Sequence, residues 1–453
     1  MSGHELTLAD LEIRASSHTP FFGIYLATHA ISDGLCMCHA SVGCKVKTEL
    51  HLCEHDGVAD AHNRRRYSQF IDEDLIQGST EQLEAEIVAW QRRQNSQVVV
   101  IDGSTPISLQ GQSMKPVIRR MEEATGVKVV HVDARNYEQD LWQGYSATMA
   151  TLLREVPWSE EPAADEVALV GYPFDRYEPD HRATVHELRR LLWGLGLKAK
   201  AVWFAGEPFS TLMETANASR VLLLPWAQKD VKRTLRKAPR PVTKLGLPAG
   251  LAGTTQWLRQ VGQACDIPEE RVERVIQAEV ERAKPLLEMA RRRLRGRRFA
   301  AFGEVPRLAA TVASLMEAGM TPTVVGISPG SLGDERRLRE TLSRDHGVDL
   351  PDHVRCLYDP TPAELSALGR QRALGPAPRP GPGEKADLRH AEIALGPTVE
   401  REQIAADDLP WVECGFPSER QHAFTATPWL GLDGALGLYQ RVAVALDLFT
   451  RPR

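Results

Sequence analysis

The chain lacks several features that would assign it to common protein classes. No apolar run approaches the roughly 20 residues that a membrane-spanning helix needs, and 55 basic residues stand against 60 acidic ones, for a formal net charge of only -5. Nucleic acid and an anionic membrane surface are therefore not expected partners. A Walker A sequence is also absent, so we do not expect this chain to bind ATP through a P-loop.

Signals for export are not expected either. The first residues, MSGHELTLADLEIR, are polar and acidic rather than apolar or arginine-rich. The chain has 7 cysteines, an odd number for a framework of disulfides. We therefore expect a cytoplasmic protein whose cysteines serve metal or redox chemistry.

What is present is a globular composition with alternating strand-like and helix-like segments. Apolar residues make up 42% of the chain and charged residues 25%, which are ordinary values. The β-branched run 98–101 ends at Asp102 and Gly103, and a helical pattern at 114–125 and a second apolar run at 127–132 follow. Gly126 stands where a helix C-cap is expected. The segment therefore predicts a strand–helix–strand unit.

The same alternation recurs in residues 166–224 and again from residue 298. Three such rounds predict an α/β protein with three doubly wound parallel-sheet domains. We place these domains at 1–160, at 161–297 with a linking helix, and at 298–453. Residues 375–383 (GPAPRPGPG) predict a flexible insert on the surface of the third domain.

Cysteine and histidine are concentrated near the N-terminus, where four of the 7 cysteines lie within eighteen residues. Thiolates and imidazoles cluster in this way around soft or borderline metals. Cys36, Cys38 and Cys44 are close enough in sequence to share an Fe–S cluster. A zinc site formed by Cys36, Cys38, Cys53 and His55 is an alternative, although its spacing differs from the usual zinc motifs. A third reading is that these cysteines are buried and structural.

Two other groups of residues have more than one reading. Trp203, Phe204, Trp226 and Trp257 could line a flat pocket, but such residues more often belong to a core. The basic run 64–66 predicts either a contact with an acidic partner or anionic substrate, or a solvated turn.

Short motifs in a fixed order resemble those of one known family. They are residues 39–44 (HASVGC), 241–255 (PVTKLGLPAGLAGTT), 303–326, 414–417 (CGFP) and 428–434 (PWLGLDG). Together they resemble the subunits of nitrogenase component 1, a family that includes nitrogenase-like protochlorophyllide and chlorophyllide reductases. The resemblance covers nearly the whole chain.

The resemblance implies a heterotetramer with a homologous α-type subunit. A partner ATPase similar to the nitrogenase Fe protein would hydrolyse ATP and pass electrons to an interface Fe–S cluster, a [4Fe–4S] cluster shared between the subunits. The cluster would relay them to a bound substrate. An assembly scaffold for a nitrogenase-type metal cofactor is the alternative function. The substrate and the catalytic residues are not predicted.

Departures from the family pattern narrow the assignment. Only Cys44 matches one of the three cluster cysteines of the family, because the first position falls near His18 and the third at Thr105. No cysteine lies at 223–226, where an α subunit has its cofactor ligand, so a β-type subunit is predicted. The predicted metal ligands are Cys44, with Cys36, Cys38, Cys53 and His18 as further candidates, and His422 is a candidate cofactor residue.

Overall fold

The computed structural model describes residues 19–40, 64–68, 79–103, 113–132, 139–173, 181–328, 331–381, 383–416, 418 and 426–450. Helices and strands alternate through these residues. The helices are α1 (Pro20–His29), α2 (Thr80–Gln91), α3 (Lys115–Thr125), α4 (Leu141–Leu153), α5 (His181–Gly194), α6 (Phe209–Met213), α7 (Lys229–Leu235), α8 (Gly250–Ala264), α9 (Glu269–Leu294), α10 (Val305–Glu317), α11 (Glu335–His346), α12 (Pro362–Arg372), α13 (Thr398–Ile404) and α14 (Gly431–Thr450). The strands are β1 (Gly34–His39), β2 (Arg65–Tyr67), β3 (Val98–Gly103), β4 (Lys128–Val132), β5 (Ala163–Val170), β6 (Lys198–Val202), β7 (Ala218–Leu223), β8 (Val242–Lys244), β9 (Arg298–Gly303), β10 (Thr321–Ile327), β11 (Arg355–Tyr358), β12 (Ile393–Gly396) and β13 (Trp411–Glu413).

The strands form three parallel sheets, which confirms the predicted α/β class. Their orders are β2-β1-β3-β4, β6-β5-β7-β8 and β11-β10-β9-β12-β13. One sheet falls within each of the three predicted domain ranges, while the boundaries themselves stay a prediction. By contacts, the first two sheets lie in one compact unit, made of Ser17–Arg176 and Leu197–Lys244. The third sheet lies in a second unit that includes Tyr177–Gly196 and Leu245–Arg453.

Local sequence explains several element ends. Gly126 adopts φ 71° and donates its N–H to the carbonyl of Glu122, so it ends α3 in the left-handed conformation that glycine tolerates best. Asp140 and Gln143 form a reciprocal capping box at the start of α4. Apolar pattern alone would not define where α3 ends and where α4 begins, whereas these two caps do.

Two different layers cover the faces of the first sheet. On one face, Leu35 and Met37 of β1 belong to an apolar cluster that also includes residues of α2 and α3. Helix α1 packs on the opposite face, against β1 and β3, and against α4. The α1–α4 contact requires glycine, because a Cβ at Gly23 would lie 1.9 Å from the carbonyl oxygen of Leu141.

The third sheet is also covered on both faces. A large apolar cluster joins β9, β10 and β12 to α10 and α14. A second cluster on the other face includes residues of β9, β12, α12 and α13. Because all strand pairs are parallel, the carboxyl ends of the strands meet at one edge, where ligands bind in open α/β sheets.

Candidate functional site

Strand β1 carries two cysteines on the face of the first sheet that α1 covers. Successive side chains of a strand point to opposite faces, so Cys36 and Cys38 share one face while Met37 lies on the other. Both cysteine side chains are fully buried. Their Sγ atoms lie 3.7 Å apart, so these two cysteines, both predicted as metal ligands, are adjacent in space.

Asp102 of β3 completes a thiol cluster, which we define as Cys36, Cys38 and Asp102. The parallel register places Asp102 directly beside Cys38. One ligand atom from each of the three residues lies within 4.8 Å of the others, and all three side chains are buried. Sequence reasoning placed Asp102 at the end of a strand run and did not identify it as part of a site.

The thiol of Cys38 is held in its protonated form. Burial and then the hydrogen bond with Cys36 raise the pKa of Cys38 well above its ordinary value, and the nearby carboxylate of Asp102 raises it further. Arg65 opposes these effects with its positive charge. A cation replacing the thiol protons would remove the main electrostatic cost of two buried thiolates.

Arg65 itself is buried among aromatic rings. Its guanidinium carbon lies 4.9 Å from the ring centroid of Tyr25 and 5.5 Å from that of Tyr67. The neighbouring Arg64 donates to the carbonyl of His29, and Arg66 lies 3.8 Å from the ring centroid of Trp90. Arg65 is therefore not part of a solvated turn, whereas Arg64 and Arg66 are partly exposed, so a contact of this run with an acidic partner or anionic substrate stays a prediction.

His39, at the end of β1, is a structural residue. Its Nδ1 lies 2.7 Å from Oγ of Ser68, and its Nε2 lies 2.9 Å from Oγ of Ser79. Burial, followed by the charge of His131, lowers the pKa of His39 to about 4. With both ring nitrogens engaged by serines, the imidazole is neutral and is not positioned to bind a metal ion.

The other predicted site residues have different outcomes. Cys44, Cys53, His18 and His422 lie outside the described residues, so their roles stay predictions. Among the four aromatic residues, Trp203, Phe204, Trp226 and Trp257 are all buried to 1% exposure or less, which supports the core reading.

A second polar cluster lies at the carboxyl edge of the third sheet. Glu304 follows β9 and Arg307 lies one turn into α10, and the two buried side chains form an ion pair at 3.6 Å. The guanidinium carbon of Arg307 lies 4.0 Å from the ring centroid of Trp429. Trp429 is fixed in turn by its backbone N–H, which donates to Oγ1 of Thr184.

Glu400 completes this carboxylate cluster, which we define as Glu304, Arg307, Ser328 and Glu400. Ser328, just after β10, donates to Oε1 of Glu400 at 3.2 Å. Oε2 of Glu400 is buried and has no hydrogen-bond partner among the described residues. Burial, with a contribution from the charge of Glu304, raises the pKa of Glu400 to about 7. Glu400 can therefore hold or release a proton near neutral pH.

Sequence reasoning missed the carboxylate cluster. Its signal was present, since Glu304 directly follows the strand 298–303 and Glu400 follows the strand 393–396 by four residues. Polar residues that immediately follow parallel strands are candidates for a binding edge.

Comparisons with known proteins place the chain in a family. The model of the family of nitrogenase component 1 type oxidoreductases matches residues 19–373. The chain belongs to this family, and the predicted resemblance is confirmed.

Individual relatives come from two functional groups. The chain is 26% identical over 335 residues to the light-independent protochlorophyllide reductase subunit N of Halorhodospira halophila, covering 69% of this chain and 76% of that protein. It is 22% identical over 353 residues to NifE, a nitrogenase iron-molybdenum cofactor biosynthesis protein of Klebsiella pneumoniae, covering 75% and 76%. These identities do not separate a reductase from a biosynthetic protein.

The fold is shared with solved nitrogenase chains. A nitrogenase Cp1 structure at pH 6.5 matches with a TM-score of 0.75 and 16% identity, covering 99% of this chain and 95% of that chain. A second, at pH 5, matches with a TM-score of 0.72. Across the described residues, no helix combines the length and apolarity that crossing a bilayer requires.

Proposed function

We propose that the chain is one of two related subunits of a nitrogenase-like, ATP-dependent reductase. A partner ATPase would supply electrons one at a time, an interface Fe–S cluster would receive them, and a bound substrate would be reduced. Membership of the family over residues 19–373 supports this proposal, as does the likeness to a protochlorophyllide reductase subunit. The β-type assignment rests on the absence of cysteine at 223–226 and stays a prediction.

The feature that favours a reductase is the buried side chain of Glu400, whose pKa is raised. Reducing a bond in a substrate consumes protons as well as electrons, and general acids work best with a pKa near the working pH. Glu400 has a pKa of about 7 and a buried Oε2 without a partner among the described residues, at the ligand-binding edge of a parallel sheet. In this proposal Glu400 donates a proton during reduction.

An assembly scaffold is the second candidate. The likeness to NifE favours it, because that relative is a cofactor biosynthesis protein. The scarcity of family ligand cysteines, with Cys44 as the one clear match, also suits transient binding of a metal cluster. A scaffold has no need of a proton donor for turnover.

The described residues do not supply a complete Fe–S site. Each iron of a [4Fe–4S] cubane takes its own cysteine ligand, so adjacent sulfurs at 3.7 Å do not suit two separate irons. Cys36 and Cys38 therefore do not both fit the predicted cubane. The predicted cluster would depend on Cys44 and on the partner subunit.

The test is strictly anaerobic copurification with the homologous subunit, followed by quantitation of iron and acid-labile sulfide. For a reductase we expect about four irons per heterodimer, and substrate reduction when the ATPase partner and ATP are added. Cys44→Ser should lower the iron content, whereas Cys356→Ser on β11 should not. Iron that is lost on a desalting column, with no turnover, would contradict the reductase and favour the scaffold.

A further inference from the structure

We propose that Cys36, Cys38 and Asp102 bind a single divalent metal ion of the zinc class. This mononuclear site would be separate from the predicted Fe–S cluster and does not rest on the proposed reductase function. The three side chains come from two hydrogen-bonded strands and are fully buried, with ligand atoms within 4.8 Å of one another.

The sulfur–sulfur distance matches two ligands of one ion. With zinc–sulfur bonds of about 2.3 Å and tetrahedral angles, two thiolates on one zinc lie about 3.8 Å apart. The Sγ atoms of Cys36 and Cys38 lie 3.7 Å apart. The two sulfurs can therefore bind one ion without any change in the backbone of β1.

The formal charges of a metal-bound site would balance. Two thiolates and the carboxylate of Asp102 would carry three negative charges, and a divalent ion with the nearby guanidinium of Arg65 would carry three positive ones. A buried site is costly unless its charges are compensated in this way, and the two thiol protons are released as the ion binds.

The donor types decide which metals suit the site. Thiolate ligands select zinc and similar ions over magnesium or calcium, which prefer oxygen alone. Two sulfurs and one carboxylate oxygen leave a fourth tetrahedral position for a small ligand such as water. The nearby His39 does not compete for the ion, because serines engage both of its ring nitrogens.

The pairing of β1 with β3 places the ligands side by side. Cys38 and Asp102 are register partners, and Cys36 pairs with Val100 on the same strand pair. Because the site is buried under α1, we expect the ion to bind while the chain folds. Metal must therefore be supplied during expression.

The experiment uses Co²⁺ as the probe. The chain is coexpressed with the homologous subunit under anaerobic conditions in medium containing Co²⁺, and the purified complex is examined for cobalt content and visible absorption. We expect cobalt–thiolate charge-transfer absorption and intense ligand-field bands of a tetrahedral ion. The variants Cys36→Ser, Cys38→Ser and Asp102→Asn should each reduce the retained cobalt at least about tenfold, since even outer-shell changes commonly cost 10–100-fold in metal affinity.

Controls separate ligand loss from misfolding and from the Fe–S cluster. Cys356→Ser, which changes a partly buried cysteine on β11, should retain full cobalt absorption. Asp102→Asn keeps the shape of the side chain, so its circular dichroism should match that of the unchanged protein. Where a serine variant does not fold, Asp102→Asn and a comparison of the thermal stability of the unchanged chain expressed with and without Co²⁺ provide the readout.

Two results would overturn the proposal. One is a folded, unchanged complex that retains no thiolate-bound cobalt. The other is a loss of iron and acid-labile sulfide in Cys36→Ser and Cys38→Ser, which would make both cysteines ligands of the cluster. Failure of the reductase proposal would instead appear as absent turnover, with the cobalt absorption still present.

Discussion

The thiol cluster and the carboxylate cluster share an electrostatic plan and differ in one component. At each, a carboxylate is buried and a buried arginine contacts an aromatic ring: Arg65 with Tyr25 beside the first, and Arg307 with Trp429 in the second. The first adds two thiols, whereas the second adds the acid Glu400. A buried carboxylate and a buried arginine therefore accompany thiols suited to a metal in one cluster and an acid suited to proton transfer in the other.

The largest expected effect concerns the group that only the carboxylate cluster has. Glu400→Gln keeps the size of the side chain and removes its exchangeable proton, so we expect turnover to fall by roughly 10²–10⁴-fold. Steady-state assays of the complete complex measure this, together with iron content. Glu402→Gln, an exposed residue two positions further along α13, is the matched control. Unchanged turnover in Glu400→Gln would remove the proton-donor role.

The next effect tests the component that the two clusters share. Arg307→Leu removes the cation of the buried ion pair with Glu304, and we expect a loss of about 3–5 kcal/mol in the free energy of unfolding of the compact unit that contains the third sheet. The double variant with Glu304→Gln should recover part of that loss. Urea denaturation of each variant provides the comparison. Equal stability of the single and double variants would argue against a buried pair.

A pH series should show opposite dependences of stability on pH at the two clusters. The pKa of Glu400 is raised from 4.5 to about 7, so its contribution to stability is complete below about pH 4.5 and is lost as pH rises to about 7. Glu400→Gln should therefore be more stable than the unchanged chain above pH 7, by about 3 kcal/mol at most. Hydrogen exchange of peptides from α13 at several pH values measures the difference.

The opposite dependence is expected beside the thiol cluster. The pKa of His39 is lowered from 6.5 to about 4, so the folded state favours its neutral form. Its contribution is complete above about pH 6.5 and is lost as pH falls toward 4. Peptides of β1 should lose exchange protection over that range in the unchanged chain. His39→Gln should flatten the dependence.

The smallest effect concerns the aromatic contacts. Arg65→Lys and Arg307→Lys preserve the positive charge but lose the planar contact with the rings, so we expect a loss of about 1 kcal/mol from each. Arg120→Lys at the exposed ion pair with Glu84 is the control and should not change the denaturation midpoint. If the denaturation midpoint of either buried variant equals that of the control, the contact between that arginine and its aromatic ring does not stabilise the protein measurably.

Local pattern was sufficient for most of the fold. The predicted run at 98–101, helical pattern at 114–125 and apolar run at 127–132 correspond to β3, α3 and β4 within one or two residues, because local periodicity and a turn residue mark each of them. Gly126 was predicted as a cap because its role depends only on its own helix. Cys36 and Cys38 were likewise predicted as candidate ligands from the local concentration of cysteine and from their spacing.

The rest depends on contacts that sequence separation conceals. Asp102 joins Cys38 only through the parallel register of β1 and β3, which pairs residues more than sixty positions apart in the chain. The run 64–66 looked like a basic surface segment, yet Arg65 becomes buried because β2 pairs with β1 and its guanidinium lies on Tyr25. Charge pattern alone does not reveal which arginine contacts an aromatic ring in the folded protein.

The close packing of α1 limits the access of reagents to the buried thiols. Because Gly23 brings α1 against α4 and α1 covers the sheet face that carries Cys36 and Cys38, an alkylating reagent meets these thiols only when that helix opens. In the regime of rapid opening and closing, the labelling rate then reports the free energy of that local opening. The labelling rate of the cysteine pair, measured by mass spectrometry, thus reports the local opening of α1 in a protein that is otherwise folded.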